Sequence, residues 1–159
     1  MIRSQISLKN LNQRVVVENR PFIDKRLEVQ WIPEINGWGV FAVADIPIDT
    51  IVERSSLIVY PAKISDMTFW LLQAEGVKSE DMILDRYLLR WKGVSSAVPL
   101  GWSGLYNHSN QNNVMFQNCG EDELIEIRTI KPILAGEQCL VSYGDNWFKD
   151  KGYIKKIDF

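Results

Sequence analysis

The most constraining feature of this sequence is a succession of short runs of β-branched and aromatic residues, each bounded by turn residues. Such runs are typical of β-strands. They occupy residues 15–17, 27–32, 39–43, 51–52, 57–60, 124–127 and 140–143. Asn36-Gly37 follows one of these runs, and it predicts a tight hairpin because both residues tolerate positive φ. The chain is therefore predicted to be mainly β.

Helical periodicity is confined to the middle of the chain, at residues 66–72 and 79–91. Ser79 can cap the second segment, because acidic residues follow it in the first turn. Apolar residues then recur there at helical spacing: Met82, Ile83, Leu84, Tyr87, Leu88 and Trp91. We therefore predict a helical insert, within about residues 62–100, in an otherwise strand-rich chain.

The histidine and cysteine content excludes several kinds of site. Among 159 residues there is one histidine, His108, and there are two cysteines, Cys119 and Cys139. A closed Cys/His zinc module needs four ligands, and a disulfide-dense scaffold needs more cysteines, so both are excluded. A mechanism with two histidines is excluded as well. A single domain of this length can bury enough surface to fold without such crosslinks, and we expect no metal.

Charge and hydropathy limit the partners and the compartment. The chain carries 18 basic and 20 acidic side chains, so it lacks the electrostatic signature of a general nucleic-acid-binding protein. No apolar signal-peptide core follows the N-terminus, and no run approaches the ~20 apolar residues of a membrane span. We expect a soluble intracellular protein without a membrane partner, and the sequence does not distinguish nucleus from cytoplasm.

Acidic side chains are concentrated in the middle of the chain. Residues 31–90 carry nine acidic and five basic side chains, whereas residues 1–30 are net basic. Ordinary solvated surface would account for this distribution. An acidic segment would also attract a basic partner, and the sequence leaves both interpretations open.

A glycine-rich segment at residues 36–42 could support ligand binding. Gly37 and Gly39 flank Trp38, and residues without a Cβ allow a ligand to approach the backbone closely. A plain hairpin tip has the same composition. The segment is not a dinucleotide-binding fingerprint, because the third glycine and the following helix are missing.

Two further segments combine polar and aromatic residues. Residues 106–113 contain the lone histidine, His108, within a polar run that also suits a surface loop with Asx turns. Residues 136–147 contain a strand, a polar turn and a tryptophan, a pattern that also suits a strand end with core aromatics. A nucleophile pair of Cys139 with His108 is conceivable, but no local signature supports it.

The order of the three segments carries more information than any one of them. The chain reads G-x-G-V-F-A from Gly37, N-H-S from Asn107 and G-E-x-x-x-x-x-Y-G from Gly136. This order resembles the SET-domain family of protein lysine methyltransferases, over about residues 29–148. The motifs at residues 128–133, 135–137 and 142–145 look closest to the compact viral SET proteins, which lack the zinc-binding pre-SET and post-SET modules. Residues 45–47 and 50–53 also suit the first motif block of the family.

The chain departs from the family pattern at three positions. Asn110 and Asn112 stand where the family commonly has cysteine and proline, although the following Asn113 is kept. Gln138 replaces the second glutamate of the usual G-E-E. None of these changes removes a reacting group, and together they indicate a small, divergent member.

The resemblance implies a SET β-clip fold. This fold has several small curled sheets, a short helical insert and a C-terminal segment threaded through a loop like a pseudoknot, a rare exception among protein connections. The implied organisation is an N-terminal extension or cap at residues 1–27, a SET domain at 28–148 and a C-terminal tail at 149–159. Because the chain lacks post-SET cysteines, we expect aromatic residues of the tail, or a partner subunit, to close the cofactor site.

The resemblance also implies an activity, the transfer of a methyl group from S-adenosylmethionine to a lysine side chain, with S-adenosylhomocysteine as product. Tyr143 would line the channel in which the methyl group moves, and Tyr87 would form a second wall. The implied cofactor-binding residues are Gly37, Trp38, Gly39, Asn107, His108, Tyr143 and Trp147. The substrate would be a basic protein or peptide, with histone tails as candidates, and no nucleic acid would be bound directly.

Other functions remain open from the sequence alone. The same chemistry on a non-histone protein fits equally well. A non-catalytic SET-like binding module is a second alternative, although the retained Tyr143, Asn107 and His108 argue against it. A structural or oligomer-forming role is a third, because Trp31, Trp70 or Trp102 could serve an interface, and a homodimer is a candidate assembly.

Overall fold

A computed structural model describes residues 20–78, 87–93, 95–118 and 123–144. These residues form short strands and one α-helix. The elements in chain order are β1 (Phe22–Ile23), β2 (Leu27–Ile32), a 3-10 turn (Pro33–Ile35), β3 (Gly37–Ala42), β4 (Ile51–Pro61), α1 (Ala62–Ala74), β5 (Leu89–Trp91), β6 (Ser95–Pro99), β7 (Asn107–His108), β8 (Val114–Asn118), β9 (Leu124–Thr129) and β10 (Leu140–Val141). The mainly β prediction is confirmed.

The largest sheet is built around β4, which has 11 residues. Its strand order is β5-β6-β4-β9-β8, and every pair is antiparallel. The first half of β4 pairs with β1, and the second half pairs with β6. A bulge between Ile51 and Glu53 bends β4 near its start. One long strand therefore links the two ends of the sheet.

Two small sheets complete the described part of the fold. The β2–β3 hairpin pairs Leu27 with Ala42 at one end and Ile32 with Gly37 at the other. In the second sheet β7 and β10 are parallel, an arrangement that no direct hairpin can produce. Small, separate sheets of this kind match the predicted SET β-clip.

The main core lies where the small sheets meet the large one. Its members are apolar residues contributed by most of the strands: Leu27, Val40, Ala42, Ile46, Val52, Tyr106, Val114, Ile127, Ile133, Cys139 and Val141. A second, smaller cluster of Leu57, Trp91, Ala97 and Ile125 lies under β5 and β6. Burial of these side chains is the main driving force that holds such short strands together.

Several local predictions are corrected by the structure. The hairpin exists, but its connection is the four residues Pro33 to Asn36 instead of a two-residue turn; Asn36 has φ 49° and takes the left-handed conformation. The predicted helix at 66–72 is confirmed and is longer, at Ala62–Ala74. The second predicted helix is wrong at its end, because Leu89–Trp91 pairs as a strand with β6.

Some predictions lie outside the described residues. These are the strand at residues 15–17, residues 79–86 of the second predicted helix, and residues beyond 144. The proposed domain boundaries therefore remain predictions. Within the described ranges, no helix is long and apolar enough to cross a membrane, and no group of three or more His, Cys, Asp or Glu residues could hold a metal ion.

Candidate active site

The three segments that stand out in the sequence meet in space. Phe41 of β3 forms a bridge with Gln138, and the Cys139 amide donates to the Val40 carbonyl at 2.8 Å. β10, just after Cys139, pairs with the β7 residues. Residues 37–42, 107–108 and 138–143 therefore form one continuous layer, although long stretches of chain separate them.

A side-chain bond also joins β7 to β3. The amide Nδ2 of Asn107 donates to the backbone carbonyl of Trp38 at 3.1 Å. The Asn107 side chain thus holds the chain at the position where the sequence predicts close approach to a cofactor. Both residues are brought into the predicted site.

Gly39 is required by packing at this junction. A Cβ on Gly39 would lie 2.6 Å from Gln138 Nε2, 2.6 Å from Ile32 Cδ1 and 3.0 Å from Asn107 Nδ2. Carbon atoms in good contact are about 3.5–4.0 Å apart, so no larger residue fits without moving these side chains. Gly37 is less constrained, because its Cβ would meet Ile35 at 3.4 Å. Gly39 is therefore the position at which the two strands approach too closely for a side chain.

Trp38, between the two glycines, presents an exposed ring. It is 44% exposed and packs edge-on against Trp31 of β2, with ring centroids 5.1 Å apart and an interplanar angle of 77°. Trp31 stabilises the orientation of the exposed indole. This edge of the hairpin therefore offers a flat aromatic surface next to Asn107.

Asn113 holds the backbone of residues 138–140 in place. Its Nδ2 donates to the Gln138 carbonyl at 2.9 Å, and its Oδ1 accepts from the Leu140 amide at 2.8 Å. One amide side chain thus holds the backbone on both sides of Cys139. This accounts for asparagine at the position that the family pattern keeps.

His108 is buried, and its side chain contacts the segment that follows β10. Its Nδ1 accepts a hydrogen bond from the Tyr143 amide at 3.2 Å. An imidazolium has no acceptor nitrogen, so this bond requires the neutral ring. The His108 and Tyr143 rings lie 5.4 Å apart at 41°. In this structure the imidazole positions Tyr143, so we expect any cofactor contact of His108 to come from its backbone.

Tyr143 is held at both ends. Its hydroxyl donates to the Tyr106 carbonyl at 2.7 Å, while its amide is bound by His108. Burial, with a smaller contribution from Tyr87, raises the pKa of the Tyr143 phenol. The phenol is therefore neutral at physiological pH, and it can orient a neighbouring group but is poorly suited to act as a base.

Tyr87 lies near Tyr143, and the preceding residues of the predicted helix, 79–86, lie outside the described residues. It precedes β5 in a short stretch next to Gly104, where a Cβ would lie 3.2 Å from the Tyr87 carbonyl oxygen. The electrostatic effect of Tyr87 on Tyr143 places the two phenols in one neighbourhood.

A cavity of about 300 Å³ opens beside Tyr143 and Tyr106, and we call it the active-site cavity; Tyr87 does not belong to its lining. Most of its lining side chains are apolar or aromatic: Leu88, Leu89, Arg90, Trp91, Lys92, Ser103, Gly104, Tyr106, Phe116, Asn118, Ile125, Ser142 and Tyr143. The only charged residues among the described ones that line it are Arg90 and Lys92. Its shape and composition suit the aliphatic stem of a long side chain.

Comparison with known proteins decides the family. The SET-domain family model matches residues 37–144, which include all three converging segments and most of the chain. This chain belongs to the SET-domain family. The predicted family membership is therefore confirmed, while the closer likeness to viral members stays a prediction.

Two relatives illustrate the match. A Schizosaccharomyces pombe histone-lysine N-methyltransferase, described as specific for lysine 37 of histone H3, is 26% identical over 132 residues, covering 82% of each chain. The crystal structure of a candidate histone methyltransferase from Plasmodium falciparum superimposes with a TM-score of 0.56 and 22% identity, covering 79% of this chain and 99% of that one. The crystal structure supports the fold. The family and the yeast relative support lysine methylation as the chemistry of this SET domain.

Glu53 is a buried acid beside the SET-domain site that the sequence-based prediction did not assign to it. Its side chain is 0% exposed, and its Oε1 accepts a hydrogen bond from Ser55 Oγ. The loop after β6 lies directly on this pair, since a Cβ on Gly101 would be 1.9 Å from Ser55 Oγ and 2.7 Å from Glu53 Oε1. A glutamate within an apolar strand, together with a glycine before Trp102, was the available signal.

Two other predicted candidates have different outcomes. Cys139 is buried, and burial raises the pKa of its thiol to about 12, so this side chain packs as an apolar residue and gives no support to a Cys–His nucleophile pair. Trp147, one of the implied cofactor-binding residues, lies outside the described residues. Its assignment stays a prediction.

Proposed function

We propose that this SET domain is an S-adenosylmethionine-dependent protein-lysine N-methyltransferase. The observation that carries the proposal is the position of Tyr143. It lines an apolar cavity on one side and is anchored on the other by the Tyr106 carbonyl and by His108, next to the glycine-containing β3 strand. Such an arrangement can align an amine with a methyl donor.

The residues present fit the proposed cofactor. The exposed indole of Trp38 can stack on an adenine ring, and the Asn107 side chain holds the backbone at this position. The aromatic ring of Tyr143 suits a sulfonium cation nearby, and the His108 imidazole holds the Tyr143 backbone in place. S-adenosylmethionine supplies an electrophilic methyl group when bound. Gly37, Trp38, Gly39, Asn107, His108, Tyr143 and Trp147 are the residues that we propose to hold it.

The cavity must also solve the problem of lysine protonation. Free lysine has a pKa near 10.4, so only about one molecule in 10³ is neutral at pH 7, and neutralising it costs roughly 4–5 kcal/mol. The apolar walls of the cavity, including Leu89, Trp91 and Phe116, disfavour the ammonium form through desolvation. A lysine in this cavity therefore loses its proton more easily than one in water.

We assign Tyr143 a positioning role, and we propose that Tyr87, which acts on Tyr143 from outside the cavity lining, becomes a second wall when substrate is bound. Because the Tyr143 hydroxyl already donates to the Tyr106 carbonyl, its lone pairs remain available to accept a hydrogen bond from the lysine amine. The ring excludes water from the same space. Both effects increase the fraction of time that the amine points in a reactive direction.

The substrate that we propose is a protein or peptide lysine, with histone tails as the first candidates. The S. pombe relative acts on histone H3 according to its description, which supports testing histones first. A basic substrate segment would be attracted by the excess of acidic side chains in residues 31–90. We also propose an intracellular location and a homodimer, as the sequence predicts.

Methyl transfer to histones tests the activity directly. The purified protein is incubated with labelled S-adenosylmethionine and core histones, and methylated lysines are located by mass spectrometry. We expect transfer to at least one histone, and transfer only to another protein in the panel would select the non-histone alternative. Absence of transfer to any protein, together with absence of cofactor binding by calorimetry, would refute the proposal. Cofactor binding without transfer would favour the non-catalytic module.

Tyr143→Phe tests the assigned role. This variant lacks the hydroxyl that donates to Tyr106, and we expect nearly normal cofactor affinity with a kcat at least about tenfold lower. Tyr60→Phe is the matched control, because Tyr60 is a partly buried tyrosine of β4 that does not line the cavity. Full activity of Tyr143→Phe would show that the positioning role is wrong.

A further inference from the structure

Three buried polar atoms lie in the layer between the active-site cavity and β4. Glu53 Oε2, Ser103 Oγ and Tyr106 Oη are all inaccessible to solvent, and none makes a hydrogen bond of ordinary geometry within the described part of the chain. Buried polar atoms are rarely left in this state, because the lost solvation is expensive. These atoms are therefore available to each other or to an enclosed water molecule.

This polar group is continuous with the cavity. Ser103 and Tyr106 belong to the cavity lining, together with Tyr143. Glu53 lies behind them, because the Tyr106 phenol and the backbone amides of Trp102 and Ser103 all act electrostatically on its carboxyl group. Two hydroxyl-bearing residues thus separate the place proposed for the substrate amine from a buried carboxyl group.

The surroundings of Glu53 favour a carboxyl group that takes up a proton readily. Burial raises its pKa, although the bond from Ser55 and the nearby Tyr106 phenol and Trp102 and Ser103 amides oppose the effect. The Tyr106 phenol is the titratable group that faces it, and Cys139 and Asp24 act on that phenol in turn. The neighbouring Arg54 forms an ion pair with Glu126 on the other face of β4, so it does not neutralise the Glu53 carboxylate.

We propose that Glu53 accepts the proton that the substrate lysine must lose, by way of the hydroxyl groups of Ser103 and Tyr106. This rests on the proposed function. The N–H bond of the ammonium breaks, and its electron pair stays on nitrogen. The proton passes to Glu53 Oε2 through the hydroxyl groups and an enclosed water molecule that bridges them. The carboxylate becomes a carboxylic acid, and the neutral amine is free to take the methyl group. Glu53 later returns the proton to solvent.

Ser103→Ala is the most selective test of the relay. The Ser103 hydroxyl makes no hydrogen bond to the described protein, so its removal should not destabilise the fold. We expect kcat at pH 7 to fall at least about threefold, with KM and cofactor affinity within twofold of wild type. Ser96→Ala is the matched control, because Ser96 is also a buried serine but lies outside the cavity lining and bonds to Ser65.

Glu53→Gln tests the proton acceptor itself. The near-isosteric amide cannot take up the proton, and general-base contributions are typically about 10²- to 10⁴-fold, so we expect kcat at pH 7 to fall at least about tenfold. The deficit should shrink as pH rises towards the lysine pKa, because the amine then loses its proton without help. Ser55→Ala should shift the acid limb of the rate profile to higher pH, since the Ser55 bond lowers the Glu53 pKa.

A spectroscopic measurement accompanies the kinetics. Infrared difference spectra between acidic and neutral pH should contain the carbonyl stretch of a buried carboxylic acid in the wild type, and Glu53→Gln should lack it. Thermal melting and cofactor calorimetry establish that each variant is folded. If Glu53→Gln does not fold, the kcat of Ser103→Ala decides whether the relay operates.

The outcomes separate the two proposals. If wild type transfers methyl groups while Ser103→Ala and Glu53→Gln retain its rate and pH profile within twofold, the relay is wrong and the methyltransferase function stands. If wild type transfers nothing and binds no cofactor, the proposed function fails, and with it the basis of the relay.

Discussion

Substitution of Gly39 by alanine should destabilise the protein and weaken cofactor binding together. The added Cβ would lie 2.6 Å from both Gln138 Nε2 and Ile32 Cδ1, an overlap of about 1 Å relative to ordinary contact. All three neighbouring atoms are at the ends of side chains, so they can move, and overpacking of this kind costs about 1–3 kcal/mol. In a domain of this size, the melting temperature should fall by about 3–10 °C.

The functional effect follows from the third neighbour. Asn107 Nδ2 would be 3.0 Å from the new methyl group, and its displacement breaks the bond to the Trp38 carbonyl. Loss of one such bond is typically about 1 kcal/mol, so S-adenosylmethionine affinity should fall about fivefold.

Gly37→Ala is the matched control, because its Cβ meets nothing closer than 3.4 Å. Differential scanning calorimetry and isothermal titration with the cofactor measure both effects. If Gly39→Ala melts and binds like Gly37→Ala, the packing argument is refuted.

Three other substitutions or conditions have defined outcomes. Gly101→Ala should destabilise more than Gly39→Ala, by about 3 kcal/mol or more in urea titrations, because the short Ser55 side chain at 1.9 Å has no room to move; a smaller loss would contradict this packing. In a Cys119→Ser background, Cys139 should react with a thiol reagent at pH 8 only after denaturation, and rapid labelling of the native protein would be inconsistent with a pKa of about 12. The raised Glu53 pKa means that native stability falls as pH rises above the usual glutamate range. Glu53→Gln should therefore gain stability relative to wild type as pH rises from that range, and unfolding measurements with no such gain would overturn the assignment.

The site was more predictable from the sequence than its supporting strands. The motif residues near Gly39, His108 and Tyr143 were identified because a recognisable order links them, and they do come together. Their local conformations also agree with the pattern of short strands and turns. The motifs did not reveal that the His108 side chain is buried and accepts a hydrogen bond from the Tyr143 amide.

The features that the sequence did not predict depend on tertiary contacts. Leu89–Trp91 has apolar residues that suit either a helix or a strand, and pairing with β6 decides the outcome. Ser95–Pro99 is too polar and small to be recognised as a strand on its own. The burial of Glu53 was also hidden, because a charged residue in a short strand usually faces solvent, and only the close contact at Gly101 shows that this face is covered.

The parallel pairing of β7 with β10 has a consequence for how the protein acquires activity during synthesis. β3 and β7 are made early, but Asn107 and His108 find their strand partners only when Leu140 and Val141 have left the ribosome. Contacts across such separations form slowly, because the intervening loop must close first. A nascent chain can therefore contain its hairpin and much of its large sheet and still hold no ligand. Cofactor binding would then report the final step of folding, so a small-molecule ligand could serve as a sensor of completed chains.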